Sequence, residues 1–202
     1  MLSAIILSAG ESRRMGGYPK ALLRDEKSGI TFIESILKKI ISLNISDIVV
    51  VLGAHSQEII NGAKLPLLHA GAKTIINENW REGQISSLRK GLTALDPRSE
   101  GFMLNPVDCP YVKIKTYRLL MDMWQKNKTG IYIPSYDGKG GHPSIFPGWS
   151  YEILLKNNLP RGAKTFIAQN INKISYMSVD DPSVTDDIDT KNDYRKKVKN
   201  NE

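Results

Sequence analysis

Ile5-Ile6-Leu7-Ser8-Ala9-Gly10-Glu11-Ser12-Arg13-Arg14-Met15-Gly16-Gly17-Tyr18-Pro19-Lys20 stands almost at the start of the chain. An apolar run leads into a turn of small residues, then a basic pair, two glycines and a lysine. Small residues let the backbone approach a ligand closely, and successive exposed N–H groups make an anion-binding concavity. Arg14 and Lys20 bring the positive charge that a polyphosphate requires. The stretch predicts a buried strand ending on a phosphorylated ligand, with a nucleotide as the first candidate. A Gly-rich turn flanked by solvated arginines would give the same bare pattern without a ligand, and short motifs carry that risk.

Neither of the two commonest phosphate loops is present, because the stretch lacks both G-x-x-x-x-G-K-(S/T) and G-x-G-x-x-G. Instead Leu7 to Gly16, with Lys20 just beyond, resembles the signature of the MobA-like nucleotidyltransferases, L-A-(A/G)-G-x-S-x-R-M-G followed closely by a lysine. That family includes enzymes that attach CMP or GMP to molybdopterin, and its wider relatives make nucleotide sugars and other CDP-linked compounds. The resemblance implies that Leu7, Ser8, Ala9, Gly10, Arg14, Gly16 and Lys20 bind a nucleotide. Arg14 and Lys20 would hold its triphosphate, while Ala9, Gly10 and Gly16 would let the backbone close on it.

The chain has 202 residues, suited to a single domain with a real core. Its 41% hydrophobic and 24% charged content is that of a globular protein in water. No apolar run approaches the ~20 residues that span a bilayer, so no membrane partner is expected. The apolar start at Leu2 lacks a basic flank and a cleavage site, and reads as the first core strand. The lone Cys109 excludes an intrachain disulfide framework and fits a reducing, cytoplasmic setting. Net charge is +7 with pI near 9.4. Much of that excess sits in a basic C-terminal tail, 191–202, with Lys191, Arg195, Lys196, Lys197 and Lys199 reading as a solvated, fraying helix end. No zinc finger, RNP-type aromatic pattern or helix-turn-helix spacing accompanies it, so nucleic acid is not expected as a partner.

Strand and helix patterns alternate. Ala4–Leu7, Asp47–Leu52, Lys73–Ile76, Gly101–Asn105 and Gly130–Pro134 read as strands. Thr31–Leu43, Ser56–Asn61, Ile85–Leu95 and Ile114–Lys126 read as helices. This alternation predicts βαβ units, hence a three-layer α/β/α architecture with a mostly parallel sheet, a Rossmann-like nucleotidyltransferase fold. Ligands of such sheets sit beyond the carboxyl ends of the strands, where both the 8–20 loop and Asp108 fall. The more polar Ser135–Asn172 stretch is expected to wall the acceptor side within the same domain.

Asp108 follows an apolar strand within Pro106-Val107-Asp108-Cys109-Pro110. A strand-end carboxylate is a usual magnesium contact, since that ion keeps most of its water and takes one or two carboxylates. Taken alone, Asp108 fits a helix cap or an Asp-x-Pro turn equally well. The resemblance implies the metal role, because the family carries a D-x-P aspartate here. It also matches Asp187-Ile188-Asp189-Thr190 to a closing D-I-D-T, in which Asp187 would be the second metal contact and Asp189 would serve to cap the last helix through Thr190. Plain capping by both residues is the alternative. Lys191 stands where the family usually has proline.

Asn77 to Leu92 resembles the family's N-x-x-(W/Y)-x-x-G-x-x-x-S-(L/I)-x-x-G-L, so Gln84, Ser86 and Ser87 are candidates for the base or ribose. Without that resemblance the serines simply start a helix. Gly141-His142-Pro143 resembles the G-H-P segment of the molybdopterin cytidylyltransferase branch, making His142 a candidate acceptor contact. His55 and His69 lack partner spacing and read as structural, and no cluster suggests zinc. Cys109 reads as a small buried filler. That branch usually has G-D-x-G-A-R, against which Pro160 and Lys164 are departures.

Together these matches imply a Mg2+-dependent enzyme that moves NMP from an NTP to a phosphorylated acceptor, releasing pyrophosphate. Molybdopterin is the leading acceptor, with a molybdoenzyme as the downstream partner. CTP is expected over GTP, since Ala9 stands where the guanylyl branch has a second glycine. A sugar or polyol phosphate acceptor is one alternative. A non-catalytic nucleotide-binding chaperone for molybdenum hydroxylase maturation is the other.

Overall fold

The computed structural model describes residues 1–156 and 158–199. Its sheet begins with β1 (Leu2–Ser8), β2 (Ile48–Leu52), β3 (Lys73–Ile76) and β4 (Gly101–Pro106), all parallel. β1, β2 and β4 are buried at every position, as continuous apolar runs in a sheet covered on both faces must be. β3 is mostly exposed and forms one edge. The strand order is β3-β2-β1-β4, then β7 (Ser144–Pro147), β5 (Ile131–Tyr136) and β6 (Lys139–Gly140), with β8 (Ile174–Ser178) parallel to β5.

Between β1 and β4 the winding direction of the sheet reverses. Such a switch point opens a crevice at the carboxyl ends of the two strands, and the site lies there.

Successive residues of β1 serve opposite faces. Ile6 belongs to a core built with Phe32, Ile36, Leu120 and Trp124, from α1 (Phe32–Ile41) and α5 (Ile114–Lys126). Ile5 packs with Leu88, Leu92, Phe146 and Phe166 on the other face, under α4 (Gln84–Leu92), α6 (Ser150–Lys156) and α7 (Ala163–Gln169). Two cores on one sheet make the three layers. α1 starts where Thr31 and Glu34 form a reciprocal capping box, each satisfying the other's backbone N–H. α2 (Ser56–Gly62) and α3 (Lys64–His69) lead to β3.

All nine expected elements are present with ends shifted by a few residues, and α3 is an unforeseen addition. The larger surprise is Ser135–Asn172. It supplies β7, a fully buried antiparallel strand inserted between β4 and β5, as well as helices on the flank. Four residues between polar loops are too short for periodicity to reveal. The basic tail forms α8 (Lys191–Lys199), which is anchored: the Tyr194 hydroxyl donates to the Arg24 carbonyl at 2.7 Å, and Lys197 pairs with Asp186. Residues 200–202 of that expected tail lie outside the described residues. No helix of the described residues is long and apolar enough to cross a membrane.

Candidate active site

A cavity of about 570 Å3 opens at the switch point. It is lined by Leu7 to Arg14, by Lys20, Asp108 and Asp189, and by Trp80, Arg81, Gly83, Gln84 and Ser87. The loop after β1 turns tightly: Ser12 adopts a left-handed φ of 53°, a single helical turn follows over Arg13–Met15, and Gly16 and Gly17 are left-handed at 72° and 81°. Met15 is buried and pins this turn to the core, so Arg13 and Arg14 project outward from a fixed base. Lys191 of α8 rests over Gly16, its Nζ 2.9 Å from where a Cβ there would stand.

Lys20 is the most enclosed cation of the site, its side chain 13% exposed. Its Nζ lies 2.6 Å from Asp189 Oδ1 and 3.1 Å from Asp108 Oδ2. Burial opposes its charge, but the two carboxylates outweigh burial and hold the ammonium above its ordinary pKa. Arg14 binds the other oxygen of Asp189 at 2.9 Å. Asp189 therefore bridges both cations.

The last loop reaches Asp108 through the Ile188 amide, which donates to the Asp108 carbonyl at 2.9 Å. Ile188 is fully buried, and its neighbours Asp187 and Asp189 emerge beside Asp108. Ligand atoms of Asp108, Cys109 and Asp187 all lie within 4.8 Å of one another. Two carboxylates converging at that spacing fit a hard divalent cation. The Cys109 Sγ donates to Asp187 Oδ1 at 3.1 Å. Burial first, then both aspartates, push its thiol pKa well up, so it stays protonated.

Asp189 does not cap α8. The cap is Thr190 with Asp193: Thr190 Oγ1 accepts from the Asp193 amide at 3.1 Å, and Asp193 Oδ2 accepts from the Thr190 amide at 2.7 Å. That box uses the residue directly before the helix and the third residue within it, which leaves Asp189 turned to the cavity.

Of the sequence candidates, Leu7, Ser8, Ala9, Gly10, Arg14, Lys20, Gln84, Ser87 and Asp108 line this cavity. Gly16 shapes the turn behind Arg14. Ser86 is turned elsewhere: its hydroxyl proton is shared between the Asn79 and Gly83 carbonyls while its oxygen accepts from Asn77, bracing the loop before α4. His142 precedes a cis Pro143 and lies close enough to Asp187 and Asp108 to feel their charge. Burial dominates and lowers its pKa, and its Nδ1 has no hydrogen-bond partner among the described residues. Sequence reasoning missed Trp80 and Arg81, whose guanidinium carbon sits 4.2 Å from the Trp80 ring centre. Their signal lay in the Asn77–Leu92 motif itself.

The sequence model of the MobA-like NTP transferase domain matches residues 4–174. A nicotine blue oxidoreductase of Paenarthrobacter nicotinovorans is 26% identical over 195 residues, covering 94% of this chain and 92% of that protein. The crystal structure of Rv0371c from Mycobacterium tuberculosis H37Rv superposes with a TM-score of 0.83 at 25% identity, over 98% of this chain and 97% of that one. A manganese complex of that Rv0371C gives a TM-score of 0.79 at 24% identity, with 98% of each chain covered.

Proposed function

This chain belongs to the MobA-like NTP transferase family, and on that premise we propose that it is a Mg2+-dependent nucleotidyltransferase moving CMP from CTP to a phosphorylated acceptor, molybdopterin first. The observation that carries the reading is one cavity in which Lys20 meets Asp108 and Asp189, Arg14 meets Asp189, and Asp187 lies beside Asp108. Phosphoryl chemistry needs such a set: cations for the phosphates and carboxylates for a metal.

In this reading an acceptor phosphate oxygen bonds to the α-phosphorus while the bond from that phosphorus to the pyrophosphate oxygen breaks. Arg14 and Lys20 hold the triphosphate and neutralise the departing pyrophosphate. Asp108 and Asp187 would hold the divalent cation, which when bound supplies Lewis-acid charge neutralisation at the phosphate oxygens. A fold relative has been solved as a complex with manganese, which is in keeping with a divalent metal. Catalysis is then positioning plus electrostatic stabilisation. Gln84 and Ser87 are assigned to the base and ribose, with Ala9 favouring the smaller pyrimidine. His142 is assigned to the acceptor side, and the setting is cytoplasmic.

The departures at Pro160 and Lys164 bear on the acceptor, so a sugar or polyol phosphate is the second reading. Lys20 and Asp108, both retained, favour an enzyme over a nucleotide-binding chaperone. The test is pyrophosphate release with each NTP, Mg2+ and molybdopterin, repeated with Asp108→Asn. CTP-dependent release that this variant abolishes supports the proposal. Release with GTP preferred removes the cytidylyl assignment. No release with any NTP removes molybdopterin as the acceptor, and no release when sugar and polyol phosphates replace it overturns the enzymatic reading.

A further inference from the structure

The loop after β1 is also held by the turn that follows β2. The Ala54 amide donates to the Ala9 carbonyl at 3.2 Å, and His55 Nε2 contacts the Glu11 carbonyl at 3.0 Å. A carbonyl only accepts, so Nε2 carries a proton. His55 Nδ1 lies 3.1 Å from a Glu58 carboxylate oxygen, a second acceptor. Both ring nitrogens thus face acceptors, which suits the imidazolium.

In a trans peptide the carbonyl and the following N–H point in opposite directions. Holding the Ala9 carbonyl toward the β2–α2 turn therefore turns the Gly10 N–H away from it. Holding the Glu11 carbonyl does the same to the Ser12 N–H. Gly10 and Ser12 both line the cavity, and neither amide donates to a protein acceptor among the described residues. Ser12 sits in the left-handed conformation, its own carbonyl accepting from the Met15 and Gly17 amides at 2.8 and 3.1 Å, so the peptide on its N-terminal side is the one the Glu11 carbonyl contact holds.

We infer that His55 is a positioning residue for the anion-binding loop, orienting the Ser12 amide toward a bound polyphosphate through the Glu11 carbonyl. The inference rests on the nucleotidyltransferase reading only for the identity of the ligand. The charged groups acting on the ring are Glu58 from its own helix and Glu11 from the loop, whose side chain also pairs with Arg13 at 2.7 Å. Burial opposes the charged ring, but the Glu11 carbonyl and Glu58 outweigh it and raise the His55 pKa above its ordinary 6.5. By linkage, an anion that favours the held loop favours the protonated ring.

The probes are inorganic tripolyphosphate and CTP, titrated by calorimetry against the full chain. His55→Ala is expected to weaken tripolyphosphate about tenfold, the loss of one oriented contact, and to speed hydrogen exchange at Ser12. His55→Gln retains a side-chain donor for Glu11 and is expected to restore both. In the unmodified protein, tripolyphosphate is expected to raise the His55 titration midpoint seen by NMR, a readout independent of whether either variant folds. An unmoved midpoint, or an alanine variant that binds and exchanges like wild type, overturns the inference. Tripolyphosphate binding with no binding of CTP leaves the His55 role standing and strikes the functional reading instead.

Discussion

Asp189 Oδ1 lies 2.6 Å from the Lys20 ammonium, so the deepest cation of the cavity is neutralised by the chain's own carboxylate. On the proposed function, an incoming triphosphate would have to exchange with that carboxylate. Asp189→Asn keeps the shape and removes the competing charge. Its affinity for tripolyphosphate in the absence of metal is expected to rise roughly threefold to tenfold, within the range of one charge-assisted hydrogen bond. A fall, measured by calorimetry in EDTA, would mean that Asp189 serves to aim Lys20.

Lys20→Ala removes the cation and leaves Asp108 and Asp189 facing each other without it. NTP binding is expected to weaken by about 1.5–3 kcal/mol, the typical value of a charged hydrogen bond. Calorimetric affinity unchanged within error would take Lys20 out of the phosphate site.

Gly53 and Gly10 should separate packing from binding. A Cβ at Gly53 would stand 2.5 Å from the Ala9 carbonyl oxygen and 2.9 Å from both Ala9 Cβ and Trp80 Cβ, so either the loop or the Trp80 wall must move. Gly53→Ala is expected to cost about 1–3 kcal/mol of stability from overpacking, along with nucleotide affinity. A Cβ at Gly10 meets nothing within 4 Å. Gly10→Ala is therefore expected to leave the melting temperature near wild type while weakening NTP binding. Thermal melts paired with titrations distinguish the two.

Asp47 ties β2 to its surroundings, its nearly buried carboxylate accepting from Lys73 at 2.8 Å and from the Asp96 amide at 2.9 Å. Burial alone would raise its pKa, but these bonds outweigh burial and hold it below the ordinary 3.8. A depressed native pKa means the stabilisation is complete above the unfolded value and is lost as pH falls through the native one. Melting temperature is expected to fall steeply below about pH 4, and Asp47→Asn is expected to flatten that slope while lowering the plateau at pH 7. An equally steep acid limb in the variant would assign the loss to other carboxylates.

The layers and the site's location were legible from residue pattern, because β-branched runs such as Val49-Val50-Val51 and helical spacings such as Phe32-Ile33-Ile36-Leu37 report burial locally. That the 8–20 loop would stand at the mouth of the sheet was legible for the same reason: its small and basic residues are contiguous and follow a strand. β7 was not, because its place between β4 and β5 comes from partners 40 residues and more before it and about a dozen on the other side. Nor was Ser86's bracing role, since any serine at a helix start offers a hydroxyl to a ligand or to a carbonyl alike.

The sequence by itself determined the alternation of elements, the strand end on which Asp108 stands and the contiguous loop from Ser8 to Lys20. What only the tertiary structure decided is how residues far apart share one charge system. Asp189, 169 residues from Lys20, meets it because buried Ile188 is stitched to the Asp108 carbonyl and Thr190 takes over the cap. His55, which pairs locally with Glu58, also gains the Glu11 carbonyl because β2 ends beside β1 and its following turn lies against the loop. Propensity and periodicity act over a few residues, whereas ion pairs and side-chain-to-carbonyl bonds depend on distance in space, which the sheet order sets.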